Sequence, residues 1–307
     1  MTEDFLKAET RCDYYVSEDI KKLWAIEMDC LRQFISVCNN HGLKYFAGGG
    51  TLLGAVRHNG FIPWDDDIDV FMLKEDYDKF CTFAAQEIKY PYFFQNCYTQ
   101  HGFAPRYSRI RRSDTTGCTQ YEVDNSDEDY NVGIFIDIFP LTYVAEGKLS
   151  LLQQKITSNF WGRSIVGYEK IRLLKMKNRL TFKAYLSRSV LTWSILKHFY
   201  THEQLCEKYL DACTVQKSSK VGLVPFLRFR EKYIWPSEYF DETVMLPFED
   251  MEVSCPKEWD KVLEHQFGNY HVFDKGTAIH SLAVVDTEHS YADVMKNVWA
   301  KSIKVDM

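Results

Sequence analysis

The chain has 307 residues, 46% hydrophobic and 15% aromatic, enough apolar surface for a sizeable core, which excludes a disordered chain. Its 37 Lys and Arg against 43 Asp and Glu give a formal net charge of −6 with no long basic stretch, which argues against nucleic acid held by broad phosphate neutralisation. No apolar run approaches the roughly 20 residues of a membrane span, and Met1–Lys7 lacks the basic opening and apolar run of a secretory signal. The expected location is therefore cytoplasmic. The nine cysteines are scattered, odd in number and without a CxxC pair, which predicts reduced, mostly buried thiols. Cys206 and Cys213 are expected to pack in the core rather than ligate metal.

From Glu18 to Asn40 the apolar positions Ile20, Leu23, Trp24, Leu31, Phe34, Ile35 and Cys38 recur at helical spacing, with Ser17 as N-cap and Gly42 as terminator. Leu43–Ala47 reads as a strand. The glycines Gly48, Gly49 and Gly50 then open a short helix to about Arg57, and Asn59–Pro63 forms a loop. Next comes Trp64-Asp65-Asp66-Asp67-Ile68-Asp69-Val70-Phe71, with four carboxylates in five positions running straight into apolar residues. On a strand over Ile68–Met72, Asp67 and Asp69 share one face while Ile68 and Val70 pack on the other. Like charges fixed side by side call for a divalent cation, and the glycine turn upstream brings backbone amides close enough to meet a phosphate.

Lys74–Ile88 is helical through Tyr77, Phe80, Cys81 and Ala84, and strands are expected at Tyr92–Cys97 and Pro105–Arg111. Ser113–Asp129 is rich in charge and turn formers and reads as a mobile loop bordering the site. In Gly133–Pro140 a single carboxylate, Asp137, interrupts an apolar strand; burial without a partner is costly, so a partner is expected. Helical patterns prevail from Lys148 to about Lys217, rich in Lys and Arg over 170–188. They carry Trp161, Tyr168, Phe182, Tyr185 and Trp193. Strand-like stretches follow at Val224–Phe229 and Val244–Phe248, then a helix over Pro256–Phe267 with Pro256 near its start. No internal repeat or low-complexity segment is present.

Asp67, Asp69 and Asp137 suit a site in which one or two Mg²⁺ ions, or Mn²⁺, bridge phosphate oxygens. A solvated acidic loop is the bland alternative. A calcium loop fits less well: Asp65, Asp67, Asp69 and Asp76 match its liganding positions, but Val70 stands where glycine is needed. Neither the P-loop nor the dinucleotide fingerprint is present. Arg57 and His58 are placed to meet an anionic substrate. Among Arg106, Arg109, Arg111 and Arg112 at least one is expected to face phosphate, with Arg109 and Arg111 sharing a face. Trp64, Tyr107 and Tyr121 are candidates to hold a quaternary ammonium head. No G-x-S-x-G nucleophile motif is present, which favours direct transfer.

The Gly-Gly turn, the Asp-x-Asp run and a distant strand aspartate are similar to the nucleotidyltransferase fold. More specifically, Gly49-Gly50-Thr51-Leu52-Leu53-Gly54-Ala55-Val56-Arg57-His58 with Gly60-Phe61-Ile62-Pro63-Trp64-Asp65-Asp66-Asp67-Ile68-Asp69 resembles the LicD family almost residue for residue. Ile134–Leu141 looks like its second block and Phe267-Gly268-Asn269-Tyr270 like its late aromatic-glycine block; the middle helices match only loosely. The resemblance implies an α/β (α+β) fold: a nucleotidyltransferase-like mixed sheet flanked by helices, with an added helical region. The expected organisation is a catalytic core over 1–147, a helical region over 148–218, and a segment over 219–307 completing the same catalytic unit.

The family includes bacterial phosphocholine transferases that use CDP-choline to decorate teichoic acid or lipopolysaccharide, and the animal fukutin-related ribitol-phosphate transferases. The resemblance therefore implies transfer of a phospho-alcohol from a CDP-alcohol donor to a sugar hydroxyl of a cell-surface glycan, or of a lipid-linked glycan met peripherally at the cytoplasmic membrane face. On matching positions it makes Asp67, Asp69 and Asp137 metal ligands, Gly49, Gly50 and Thr51 phosphate contacts and Arg57 a substrate contact. It leaves Asp65 and Asp66 as ligands or general base. Gly48 stands where relatives often carry a larger residue. Two other readings are a nucleotidyltransferase releasing pyrophosphate and a non-catalytic nucleotide-binding relative.

Overall fold

Ser17 accepts a hydrogen bond from the Ile20 N–H at 3.4 Å, and Gly42 closes the first long helix in a left-handed conformation, as the start and stop signals require. These details come from a computed structural model that describes residues 3–100, 103, 106–125, 129–176, 187–223, 231–275 and 282–296. The chain opens with a hairpin, β1 (Glu9–Arg11) and β2 (Tyr14–Val16), and then α1 (Glu18–His41). There follow β3 (Phe46–Ala47), α2 (Gly49–His58), β4 (Asp69–Leu73), α3 (Lys74–Glu87), β5 (Tyr92–Gln95) and β6 (Ser108–Arg112). After β7 (Thr116–Thr119) and α4 (Gln120–Asn125), the long β8 (Ile134–Tyr143) crosses the middle of the main sheet.

That sheet is mixed. β4 runs parallel to β8, while β3 pairs antiparallel with β4, β6 with β8, and β5 with β6. Helices α5 (Lys148–Met176), α6 (Arg188–Leu196) and α7 (His202–Cys213) follow, with α6 and α7 both packed on α5. The chain then returns to the same sheet: β9 (Lys220–Leu223) pairs with the far end of β8, and β10 (Ile234–Pro236) with β9. A hairpin of β11 (Thr243–Phe248) and β12 (Met251–Pro256) follows, then α8 (Trp259–Phe267) and β13 (Leu282–Asp286) beside β7. The α+β class with a mixed sheet is as expected.

Several boundaries differ from the pattern-based reading. The strand expected over Leu43–Ala47 is only Phe46–Ala47, because Gly42 is still turning the chain out of α1. Ser113–Asp129 is not an unstructured loop: it holds β7, paired with β13, and α4. A strand from the far end of the chain supplies the order that local composition does not. Pro256 ends β12 instead of opening a helix, and α8 begins at Trp259. Val224–Phe229 and most of the basic stretch 170–188, with Phe182 and Tyr185, lie outside the described residues. No helix among the described residues is long and apolar enough to cross a membrane.

The main core is built from α1, α2, α3 and the inward faces of β4 and β8, with Trp24, Met28, Phe34, Val70 and Ile138 all buried. The cysteines are free, and most are buried; burial pushes the thiols of Cys30, Cys38 and Cys255 up, so they stay protonated. The loop between α2 and β4 is held from three directions. Phe61 stacks on Trp24 with centroids 4.5 Å apart and packs on Phe248. Glu249 accepts from the Phe61 N–H at 3.0 Å while gripped by both terminal nitrogens of Arg11. The loop also lies flush on α2, so that a methyl group added at Gly54 would sit 2.3 Å from the Gly60 carbonyl oxygen. Backbone cannot yield there cheaply. Gly54→Ala is therefore expected to lower stability by about 1–3 kcal/mol, the usual cost of overpacking, read as a lower urea midpoint. An unchanged midpoint would show that the loop does not depend on this contact.

Candidate active site

The site begins as a row across the sheet. In the parallel pairing of β4 and β8, Asp69 stands opposite Asp137; in the antiparallel pairing of β6 and β8, Arg109 stands opposite Asp137. Register partners project to the same face, so two carboxylates and a guanidinium sit side by side on three adjacent strands. The Asp137 partner expected from sequence is Arg109, whose Nε donates to Asp137 Oδ1 at 2.7 Å. Residues 70, 110 and 138 turn to the opposite, buried face. The row opens on a cavity of about 520 Å³, also lined by Asp66 and Asp67 from the preceding loop, Gly49 and Gly50 from the start of α2, and Tyr107.

Carboxylate oxygens of Asp65, Asp66 and Asp67 lie within 4.8 Å of one another; of the expected ligands Asp67, Asp69 and Asp137, only Asp67 is in that group, while Asp69 and Asp137 line the same cavity. Asp65 is buried and its carbonyl oxygen accepts from Trp24 Nε1 at 2.9 Å, so this segment is not a solvated acidic loop. Burial, then the charges of Asp67, Asp137 and Asp65, push the Asp69 carboxyl well above its ordinary range. Burial also raises Asp137, and Arg109 only partly offsets it. Oxygen donors crowded in this way suit a hard divalent cation such as Mg²⁺ or Mn²⁺. They fit a zinc or thiolate site poorly.

The glycine turn is shaped by these acids. Gly49 adopts φ +48°, a conformation glycine enters freely, and a methyl at Gly50 would lie 2.4 Å from Asp65 Oδ2. At Gly48 a methyl would meet the Phe71 ring at 2.3 Å, so a larger residue has no room there unless Phe71 moves. The first hydrogen bond of α2 runs from Leu52 N–H to the Gly48 carbonyl, leaving the N–H groups of residues 49, 50 and 51 beyond the intrahelical ladder, at the positive end of the helix dipole. The Thr51 hydroxyl is already engaged: it accepts from the Asp69 N–H at 2.8 Å. Its side chain fixes the start of β4.

The other expected substrate contacts are distributed differently. Arg57 donates from Nη1 to the Tyr270 carbonyl at 2.7 Å and lies over the Phe273 ring, so it joins α2 to the aromatic-glycine block. His58 accepts from Arg57 Nε at 2.9 Å; burial, Arg57 and Arg11 push its ring down to about 4, which leaves it neutral at pH 7. Trp64 is buried edge-on between Tyr14, His58 and Phe273. None of these three lines the cavity of the acidic row. Of the aromatic candidates, Tyr107 lines it and the half-exposed Tyr121 does not.

Of the four arginines, Arg109 faces the cavity. Arg112 pairs with Asp29 and Asp114, and Arg106 lies over the Tyr209 ring in a separate cavity that shares only the Tyr107 wall. Arg109 and Arg111 do share a face, and both bind Glu122 on α4. Burial alone would raise Glu122, but Arg111 and Arg109 hold it below its ordinary value. Glu122 and Glu27, which also lines the cavity, were not found from sequence. Glu27 had a signal: it occupies a position of the apolar stripe of α1, between Trp24 and Leu31, where a carboxylate has no packing reason to be.

Residues 42–150 match the LicD/FKTN/FKRP nucleotidyltransferase domain, a span that contains the glycine turn, the acidic run and Asp137. The chain is 25% identical over 256 residues to the lipopolysaccharide cholinephosphotransferase LicD of Haemophilus influenzae, covering 79% of this chain and 88% of that protein. A Rickettsia typhi protein without an assigned activity is 30% identical over 114 residues, 37% of this chain and 33% of its own length. The human ribitol 5-phosphate transferase FKRP is 44% identical over 45 residues, 15% of this chain and 9% of FKRP. The domain match, the relatives and the motif positions together identify residues 42–150 as similar to the LicD/FKTN/FKRP nucleotidyltransferase domain.

Proposed function

We propose that the protein moves a phospho-alcohol, phosphocholine first among the candidates, from a CDP-alcohol donor to a sugar hydroxyl of a cell-surface glycan, releasing CMP. The observation that supports this best is the convergence of Asp67, Asp69 and Asp137 on one cavity beside the amides that open α2. The named activity of the Haemophilus relative, a cholinephosphotransferase acting on lipopolysaccharide, supports choline as the first donor to test. Glycans of teichoic acid type and lipid-linked acceptors belong to the same reading.

Asp67, Asp69 and Asp137 would hold Mg²⁺ or Mn²⁺, which when bound supplies positive charge to the donor diphosphate and to the leaving CMP. Gly49 and Gly50 line the same cavity, and their amides would donate to a phosphate oxygen. Arg109 divides its guanidinium between Asp137 and Glu122, so its role is to fix Asp137 as an acceptor rather than to swing onto substrate. The acceptor hydroxyl attacks the phosphorus that bears the alcohol. Its proton passes to a carboxylate, of which Asp66 lines the cavity and the buried Asp65 does not, and the bond to CMP breaks. Catalysis of this kind is chiefly positioning and electrostatic stabilisation, which a preformed row on a sheet provides.

Two outcomes follow. Asp67→Asn and Asp69→Asn should each lower transfer on the order of 10² to 10³-fold, the scale of losing one preorganised electrostatic group, without loss of folding, because each removes a like charge from a crowded site. Near-normal turnover in either variant would contradict the assignment. Incubation with a panel of CDP-alcohols, Mg²⁺ and a glycan acceptor should release CMP, detected by chromatography. Pyrophosphate released from CTP would instead make the chain a nucleotidyltransferase, and failure to bind any cytidine nucleotide would make it a non-catalytic relative.

A further inference from the structure

The side chain of Glu27 is 2% exposed and lines the same cavity as Asp66, Asp67, Asp69 and Asp137. Among the described residues its Oε2 atom has no hydrogen-bond partner. A buried carboxylate oxygen in that condition is costly whether it carries charge or a proton, and the surrounding stripe of Leu23, Trp24, Met28, Leu31 and Phe34 shows that an apolar residue would pack there without that cost. The helix is also fixed in place beside the acids. One turn before Glu27, Trp24 donates to the backbone of Asp65 at 2.9 Å and stacks on Phe61.

We infer that Glu27 is a further ligand for the divalent cation, delivered from α1 to a site whose other acids come from β4, β8 and the loop before β4. This rests on the reading that the cavity takes Mg²⁺ or Mn²⁺. The oxygen left unpartnered by the protein is then the one that a cation satisfies, and the acids converge from three directions: the sheet, the loop and the helix. Hard cations prefer six or more oxygen ligands, and a carboxylate on a third element supplies one without drawing on backbone carbonyls.

The test is Mn²⁺ binding to the full-length protein, followed by electron paramagnetic resonance of the free ion and by the thermal shift the ion produces, in native protein, Glu27→Gln and Glu27→Leu. Both variants should fold and, without metal, match or exceed the native melting temperature, since a buried unpartnered oxygen has been replaced. Both should bind Mn²⁺ about tenfold or more weakly, at the level typical of losing a group that tunes a metal site, and should lose most of the metal-induced thermal shift. Affinity within about twofold of native in Glu27→Gln would overturn the assignment. So would a loss of metal-free stability in both variants, which would make Glu27 a structural group. Absence of Mn²⁺ binding to the native protein would remove the cation reading itself, and this inference with it.

Discussion

The parallel register of β4 and β8 sets Asp69 directly beside Asp137, on backbones at the spacing of adjacent strands, about 4.8 Å. Asp67 approaches the same cavity from the loop. Mutual repulsion in a partly buried place is the constraint to which the surroundings answer. Register fixes the row, because a slip of one residue would turn every member to the opposite face, exchanging Asp69 and Asp137 for Val70 and Ile138.

The fold answers the repulsion with a limited set of devices. Arg109 reaches Asp137 on one side and Glu122 on the other, and Arg111, wholly buried, ties Glu122 to Gln95 and the Gly133 carbonyl. A buried guanidinium–carboxylate network of this kind contributes little net stability against apolar packing, but is costly to break from one side. Its use here is to hold Asp137 in one orientation. The Thr51 hydroxyl on the Asp69 amide, the Trp24 indole on the Asp65 carbonyl and the Arg11–Glu249 clasp on the Phe61 loop do the same for the remaining acids. Each joins a different element to the acidic segment, so the site is set by tertiary packing and not by the loop itself.

Much of this was legible in the sequence because its signals are local. Ser17 and Gly42 bracket α1, and Gly49 and Gly50 open α2, each a short-range rule that the structure obeys; the strand expected from Ile68 begins instead at Asp69, which leaves Asp67 in the loop before it. The need for a partner at Asp137 was also readable, since a carboxylate inside an apolar strand is costly to bury unless a cation or donor meets it. What was not legible depends on distant segments. β7 is ordered by β13, more than 150 residues later, so residues 113–129 carry no local sign of strand. Arg57 and His58 look like substrate contacts in sequence, yet the 270–273 segment occupies Arg57, and burial beside two arginines keeps His58 neutral. Glu27 is hard to recognise in sequence because a single charge in an amphipathic helix is ordinarily solvent-facing; only its place within the apolar stripe distinguishes it.

The most direct measurement is anomalous diffraction from crystals of the native protein grown with Mn²⁺ and CDP-choline. The account predicts a manganese peak within coordination distance of carboxylate oxygens from Asp67, Asp69 and Asp137, with the donor diphosphate on the same side as the amides of Gly49 and Gly50. A peak held only by surface acids, or bound nucleotide in another cavity with no metal at the acidic row, would contradict it.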